Sequence, residues 1–399
     1  MFSIENEIAK LMSSSAVFGI RMLSKRAKET TPFRAMAVLE RAQKMKDVVH
    51  LEVGEPDFEP PAEVIDSAIE SMLNGNSGYT TSRGKIGLRE AVSDYYQRTY
   101  GLDIGVDRIV ITPGTSAALT MVCLALLETG DETVLTDPYY ACYPNFIRQT
   151  GSVVKTIPLD ISKGFAPDIN LFEESVGKNT KMMLLNSPSN PTGSVLKGSE
   201  MGELVEIANR NETTIVSDEV YHGIYYDTKT HSVLEHTDDA FVVDGFSKRF
   251  AMTGWRLGWI VCPPNCIEVI NRLTQNLVIC ATNFVQDAGI AALEMSDELV
   301  PKMRDVYRKR RDVLVEGVEK LGVGMGYTPE GAYYLLIDVS ELGDAFDISN
   351  RLLDEVGVAT TPGPDFGTSV ENCLRLSYAT GMEDLKEAIN RIGTFIEDQ

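Results

Sequence analysis

Short apolar runs alternate with longer amphipathic stretches over most of the chain. The runs RIVIT (108–112), ETVLT (132–136), VVKTI (153–157), KMMLLN (181–186), TTIVSD (213–218), FVVD (241–244) and GWIV (258–261) have the length and β-branched content of strands. Several are apolar at consecutive positions, the pattern of strands covered on both faces. Helical stretches such as SAALTMVCLALLE and GSEMGELVEIANRN fall between them. This alternation predicts an α/β fold, with a large domain built on a mostly parallel seven-stranded sheet between helical layers.

The rhythm changes twice. Before residue 46 the chain reads as a polar helical arm, with LSKRAKETTPF as a break and RAMAVLERAQKM as a helix. After about residue 285 a long charged helix, SDELVPKMRDVYRKRRDVLVEGVEKL, leads to the strand GAYYLLIDVS, the helix FDISNRLLDEVG and the strand NCLRLSYA. The predicted organisation is an N-terminal arm (1–45) that joins the small domain, a large domain (46–285) and a smaller α/β domain (286–399). The sequence GVGMG (322–326) has the look of a dinucleotide loop. It follows a helix rather than a strand, and Thr328-Pro329 stands where a helix should open, so it reads as a turn.

Composition narrows the class. At 399 residues the chain exceeds what one core usually holds. A net charge of −21 opposes nucleic acid or an anionic membrane as partner. No apolar run is long enough to span a bilayer, and the first residues carry acids where a signal peptide needs bases. Of the six cysteines, Cys123 and Cys280 sit in apolar runs, and Cys262 and Cys266 form the one close pair, without a second pair or a neighbouring histidine. Neither a disulfide framework nor a metal site is expected; the picture is of reduced thiols in a cytoplasmic protein.

Four segments place polar residues just after strands, where open α/β sheets form their ligand sites. In ITPGTSAAL a helix opens at Thr115-Ser116 after Pro113-Gly114, which makes an anion site or an ordinary cap. In NSPSNPTG, Asn190 lies between turns in an extended, exposed pose. In TTIVSDEVYHGI, Asp218 ends an apolar strand, where a bare carboxylate is costly unless it meets a cation or caps a helix; Tyr221 follows three residues on. In DGFSKRFAMTGWRLGW, Lys248 follows an apolar strand, and Arg256 lies in a glycine-flanked turn. An amine among apolar groups and other cations loses proton affinity, which suits Schiff-base chemistry, and a guanidinium suits a phosphate.

NPTG, DEVY, SK and GWRLG in this order resemble the fold type I pyridoxal-phosphate aminotransferases, the class I/II group related to aspartate aminotransferase, from about residue 30 to the end. The resemblance implies that Lys248 forms the covalent link to the cofactor aldehyde and later shuttles the substrate proton. Asp218 then partners the ring nitrogen, and Tyr221 and Asn190 donate to the ring's phenolic oxygen. Gly114, Thr115, Ser116, Ser247 and Arg256 resemble the phosphate ligands. Tyr140, with Tyr139 as the neighbouring alternative, matches the ring that stacks on the cofactor. Tyr79 matches the tyrosine that reaches the phosphate of a second subunit, which implies a homodimer with shared sites. Arg375 and the backbone of Gly54 match the groups that hold the substrate α-carboxylate; such a charge-assisted fork is worth roughly 1.5–3 kcal/mol. Two positions depart from the pattern: Gly245 stands where many relatives carry serine, and Ser116 where some dicarboxylate-using relatives carry lysine.

The expected reaction is a ping-pong transfer of an amino group from an L-amino acid to a 2-oxo acid, with aspartate, alanine and aromatic donors all open. Tyr140 and either Tyr333 or Tyr334 are candidates for the pocket wall, beside residues of the arm. A C–S lyase of the same fold is the alternative. A DNA-binding regulator built on this fold is disfavoured by the acidity and by the short stretch ahead of residue 30.

Overall fold

The computed structural model describes residues 23–399; residues 1–22 of the expected arm lie outside the described residues. The seven apolar runs form one sheet. We number the strands β1 (Val49–His50), β2 (Ile109–Thr112), β3 (Glu132–Asp137), β4 (Val153–Pro158), β5 (Thr180–Asn186), β6 (Thr214–Asp218), β7 (Phe241–Gly245), β8 (Gly258–Val261), β9 (Tyr334–Asp338), β10 (Val358–Ala359), β11 (Thr361–Pro362) and β12 (Cys373–Ser377). The large sheet runs β2-β8-β7-β6-β5-β3-β4, and β8 alone is antiparallel to its neighbours.

The consecutive apolar positions are explained by two cores, one on each face. Ile109, Ile111, Met183, Leu185, Ile215, Val242, Trp259 and Val261 enter one. Their neighbours Val110, Met182, Leu184, Val216, Val243 and Ile260 enter the other. The first core is closed by helices that include Ile86–Tyr100, Gly198–Arg210 and Asn283–Glu294, the second by Thr115–Leu126, Tyr143–Thr150 and Ile267–Leu277.

A third core surrounds the antiparallel sheet β11-β12-β9 and the long helix Ser296–Lys320. Three details refine the expected layout. The helix Asn283–Glu294 spans residue 285 and packs on the helix Ala62–Leu73 of the large sheet. Strand β1, just past residue 45, pairs with β10. The stretch expected as a break holds a short helix, Lys25–Glu29, because the Ser24 hydroxyl accepts the Ala27 N–H at 3.2 Å and caps it. Residues 321–322 form a turn, and GVGMG makes no helix start. All six cysteines carry free thiols. Among the described residues no helix is long and apolar enough to cross a membrane.

Behind the large sheet lies a buried charged pair. Arg249 binds both carboxylate oxygens of Asp244 and the hydroxyl of Tyr95, with both charged side chains almost fully buried. Removing one partner strands the other charge in an apolar surround. Arg249→Met is expected to lower unfolding stability by about 3–5 kcal/mol, read as a shift of the urea midpoint.

Candidate active site

The carboxyl ends of β2, β5, β6 and β7 lie side by side, and each feeds polar residues into one cavity of about 490 Å³. The antiparallel β8 begins at that same edge: its first residue, Gly258, pairs with Gly245 of β7 and Thr112 of β2. Arg256, just before β8, therefore reaches the site from the opposite chain direction. Of the sequence candidates, Gly54, Thr115, Ser116, Tyr140, Asn190, Asp218, Tyr221, Ser247, Lys248, Arg256 and Arg375 line this cavity.

Asp218 is buried at the end of β6, and burial pushes its carboxyl up to about 6. The Tyr143 hydroxyl donates to it at 2.8 Å and the Val220 N–H at 3.2 Å, and with Lys248 these pull back toward the anion. Among the described residues no cation pairs with it directly. Lys248, also buried, has its ammonium pushed down to about 8, first by burial and then by the Arg375 and Arg256 charges, against Glu55 and Asp218. Its Nζ donates to the Gly54 carbonyl at 2.7 Å.

The opposite wall comes from the small sheet. Arg375 on β12 is buried and lies over the rings of Tyr334 and Phe366, at 4.5 and 4.7 Å. It donates to Asn190 Oδ1 at 3.0 Å and to the carbonyl of Glu52, and its Nε has no partner. Asn190 is therefore buried, not exposed as its polar turn suggested: the small sheet covers it. With Oδ1 engaged, its amide nitrogen is the group left to donate into the cavity. The Tyr221 hydroxyl bonds that of Tyr334 at 2.7 Å, in a turn closed by His222 N–H to Glu219 O rather than in a helix. A Cβ on Gly54 would stand 1.7 Å from the Tyr334 hydroxyl, so any side chain there would displace that buried ring. Of the paired tyrosines, Tyr334 lines the cavity, whereas Tyr333 packs behind it and donates to Gly54 O at 3.0 Å.

At the third end, Gly114 caps the helix Thr115–Leu126 with φ +81° and no side-chain cap, leaving first-turn N–H groups without that partner. Arg256, itself at φ +52°, lies against it; a Cβ on Gly114 would meet Arg256 Nη2 at 2.8 Å. Gly245 is fixed by packing: a Cβ there would sit 3.0 Å from Leu257 O and 3.2 Å from Thr115 Cγ2. A serine would crowd this corner; the hydroxyl of Ser247 lines the cavity nearby.

Tyr79 is not brought to the cavity of its own chain; it is 81% exposed. Tyr140 lines the cavity and Tyr139 does not. Sequence reasoning missed Tyr143 and Asn186, whose side chains bond the carboxylate and the carbonyl of Asp218. It also left the arm residues Phe33, Met36 and Leu39 unnamed. The arm signal was present in the apolar i, i+3 spacing of FRAMAVLE.

These groups fit pyridoxal phosphate. A buried carboxylate lacking a paired cation suits a protonated ring nitrogen, a depressed lysine suits an aldehyde, and a helix start beside Arg256 suits a phosphate.

Comparison with known proteins agrees. The family model for aminotransferase class I and II matches residues 46–392. The chain is 38% identical over 383 residues to a (5-formylfuran-3-yl)methyl phosphate transaminase of Methanocaldococcus jannaschii, covering 94% of this chain and 100% of that one. It is 36% identical to an aspartate aminotransferase of Pyrococcus horikoshii, covering 91% of this chain and 94% of that one. The solved structure of Thermus thermophilus aspartate aminotransferase with maleate superposes with a TM-score of 0.89 at 34% identity, covering 93% of this chain and 99% of that one. The chain belongs to the class I/II aminotransferases of fold type I and is a pyridoxal-phosphate-dependent transaminase.

Proposed function

We propose that this cavity binds pyridoxal phosphate and moves an amino group from an L-amino acid to a 2-oxo acid in two half-reactions, with Lys248 as the proton-transfer group. The observation that carries the reading is the placement of Lys248 within electrostatic reach of both Asp218 and Arg375. Lys248 thus lies between a group suited to the cofactor ring and a group suited to the substrate carboxylate.

Arg256, the Thr115–Leu126 helix start, Ser116 and Ser247 would hold the phosphate, Asp218 the ring nitrogen, and Tyr221 and Asn190 the phenolic oxygen. Tyr140 would supply the ring beside it. Bound there, the cofactor supplies an aldehyde for the amino group and a ring that accepts the electron pair left at Cα. Arg375 and the Gly54 backbone orient the α-carboxylate. Lys248, as a neutral amine, would take the proton from the substrate Cα and hold it as the ammonium for return. Tyr143 and the Val220 N–H keep Asp218 ionised and in place.

Assembly is read as a homodimer with shared sites, in the cytoplasm. Val64, Ala68 and Ser71 turn one face of the helix Ala62–Leu73 inward. Ile65, Ile69, Met72 and Leu73 leave a second apolar stripe exposed, with Tyr79 and Ile86 exposed nearby in sequence. Such a stripe supports a subunit contact, and it stands close in sequence to the tyrosine expected to reach the second site.

Lys248→Ala is expected to abolish turnover, and substantial activity in that variant would sink the assignment. The pH dependence follows from the amine. A lowered pKa means that Lys248 loses its proton at lower pH than a free lysine does. Covalent capture of pyridoxal phosphate by the apoprotein should accelerate as pH rises through about 8 and then level off; a rise continuing past pH 10 would contradict the buried amine. Asp218→Ala is expected to bind cofactor weakly and be nearly inactive, while Tyr143→Phe lowers kcat by about tenfold through one lost charge-assisted hydrogen bond. Steady-state kinetics with release of the 2-oxo acid, and not of ammonia and pyruvate, as readout checks both variants and excludes the lyase.

A further inference from the structure

The proposed reading gives one flat ring two partners on separate loops, Asp218 for its nitrogen and Asn190 for its phenolic oxygen. The separation of those ring atoms is fixed, so the two side chains must stand at a matching separation. They come from different strands. β5 and β6 run parallel, and their last paired residues are Asn186 and Asp218. Past that pair the chains part, one through residues 187–189 to Asn190, the other through the turn at 219–222. Among the described residues no backbone hydrogen bond joins these two loops.

The Asn186 side chain makes the join instead. Its Nδ2 donates to the Asp218 carbonyl at 3.0 Å, and its Oδ1 accepts the Asn190 N–H at 2.9 Å. Each end of the amide meets the group it needs; turned over, it would set donor against donor and oxygen against oxygen. Asn190 and Asp218 are both buried, and each is held at a second point. Arg375 donates to Asn190 Oδ1 at 3.0 Å, while the Tyr143 hydroxyl and the Val220 N–H donate to the Asp218 carboxylate. All of these bonds lie within one chain, so they stand whether or not a second subunit completes the cavity. Asn186 also lines the cavity, but its amide neither gives nor takes a proton near neutral pH.

We propose that Asn186 is a positioning residue: it holds the Asn190 amide at the separation from the Asp218 carboxylate that one cofactor ring requires, and it acts on the reaction through Asn190. The inference rests on the transaminase reading and deepens it. An Asn190 amide fixed in place donates to the phenolic oxygen and favours its anionic form, so the bound cofactor gives up its proton more easily. An amide free to swing donates less well, and the proton is held to higher pH.

The test is a pH titration of the visible band of the bound cofactor. Asn186→Ala is expected to raise the midpoint by about one pH unit and to lower kcat about tenfold, the size of one lost hydrogen bond. Asn190→Ala should raise the midpoint at least as far. The double variant should go no further than Asn190→Ala alone, because the group through which Asn186 acts is already gone. A structural role alone would lower the urea midpoint of Asn186→Ala and leave the band's midpoint where it stands. That result, or shifts that add in the double variant, overturns the inference. Asn186→Ser, with one hydrogen-bonding atom for two partners, supplies the same comparison if the alanine variant does not fold. If the unaltered protein shows no visible band with pyridoxal phosphate added, the transaminase reading itself falls. That failure is distinct, because it precedes any substitution.

Discussion

The site is organised around a carboxylate that the fold buries before anything neutralises it. Asp218 stands buried at the end of a central strand, flanked by β5 and β7. In that position an anion is destabilised, and two donors and a nearby amine offset only part of the cost. A core residue with that deficit lowers stability unless a cation arrives. On the proposed reading, a protonated ring nitrogen would be such a cation, and the cost carried by the free protein would return as affinity for the cofactor.

The small sheet completes the site through shared side chains rather than through separate ones. Arg375 reaches from β12 to Asn190 on the large sheet's loop, and Tyr334 from β9 reaches Tyr221 after β6. A second link runs nearby: the Asp137 carboxylate, at the end of β3, accepts the N–H and hydroxyl groups of Thr368 and Ser369. The same loop brings Phe366 under the Arg375 guanidinium, and the Phe366 carbonyl accepts the Tyr139 N–H at 2.8 Å. The segment that carries Tyr139 and Tyr140 and the Arg375 guanidinium are thus tied to one loop.

Much of this was legible in the sequence because it is local. A strand buried on both faces is apolar at nearly every position, so the inner strands of the large sheet stand out as short runs, whereas β4 at the edge is mostly exposed. Asp218 and Lys248 stood out because a charge next to such a run needs a reason. Contacts made at long range were not legible. Tyr143 meets Asp218 across 75 residues, and nothing in YYACYPNF says which tyrosine turns inward. Asn190 read as exposed because its own turn is polar; its cover comes from Arg375, 185 residues away.

The same cluster sets how far a change can spread. Asn190 follows β5, Tyr221 follows β6, Tyr334 opens β9 and Arg375 lies within β12, and hydrogen bonds and stacking join the four. A substitution at any one of them removes a partner from the next, and a buried polar group left unpaired carries a cost of about 1–3 kcal/mol. The arm helix stands outside that cluster: Met36 is half exposed and is held by little beyond the helix itself. A change there leaves the bonds of the cluster in place.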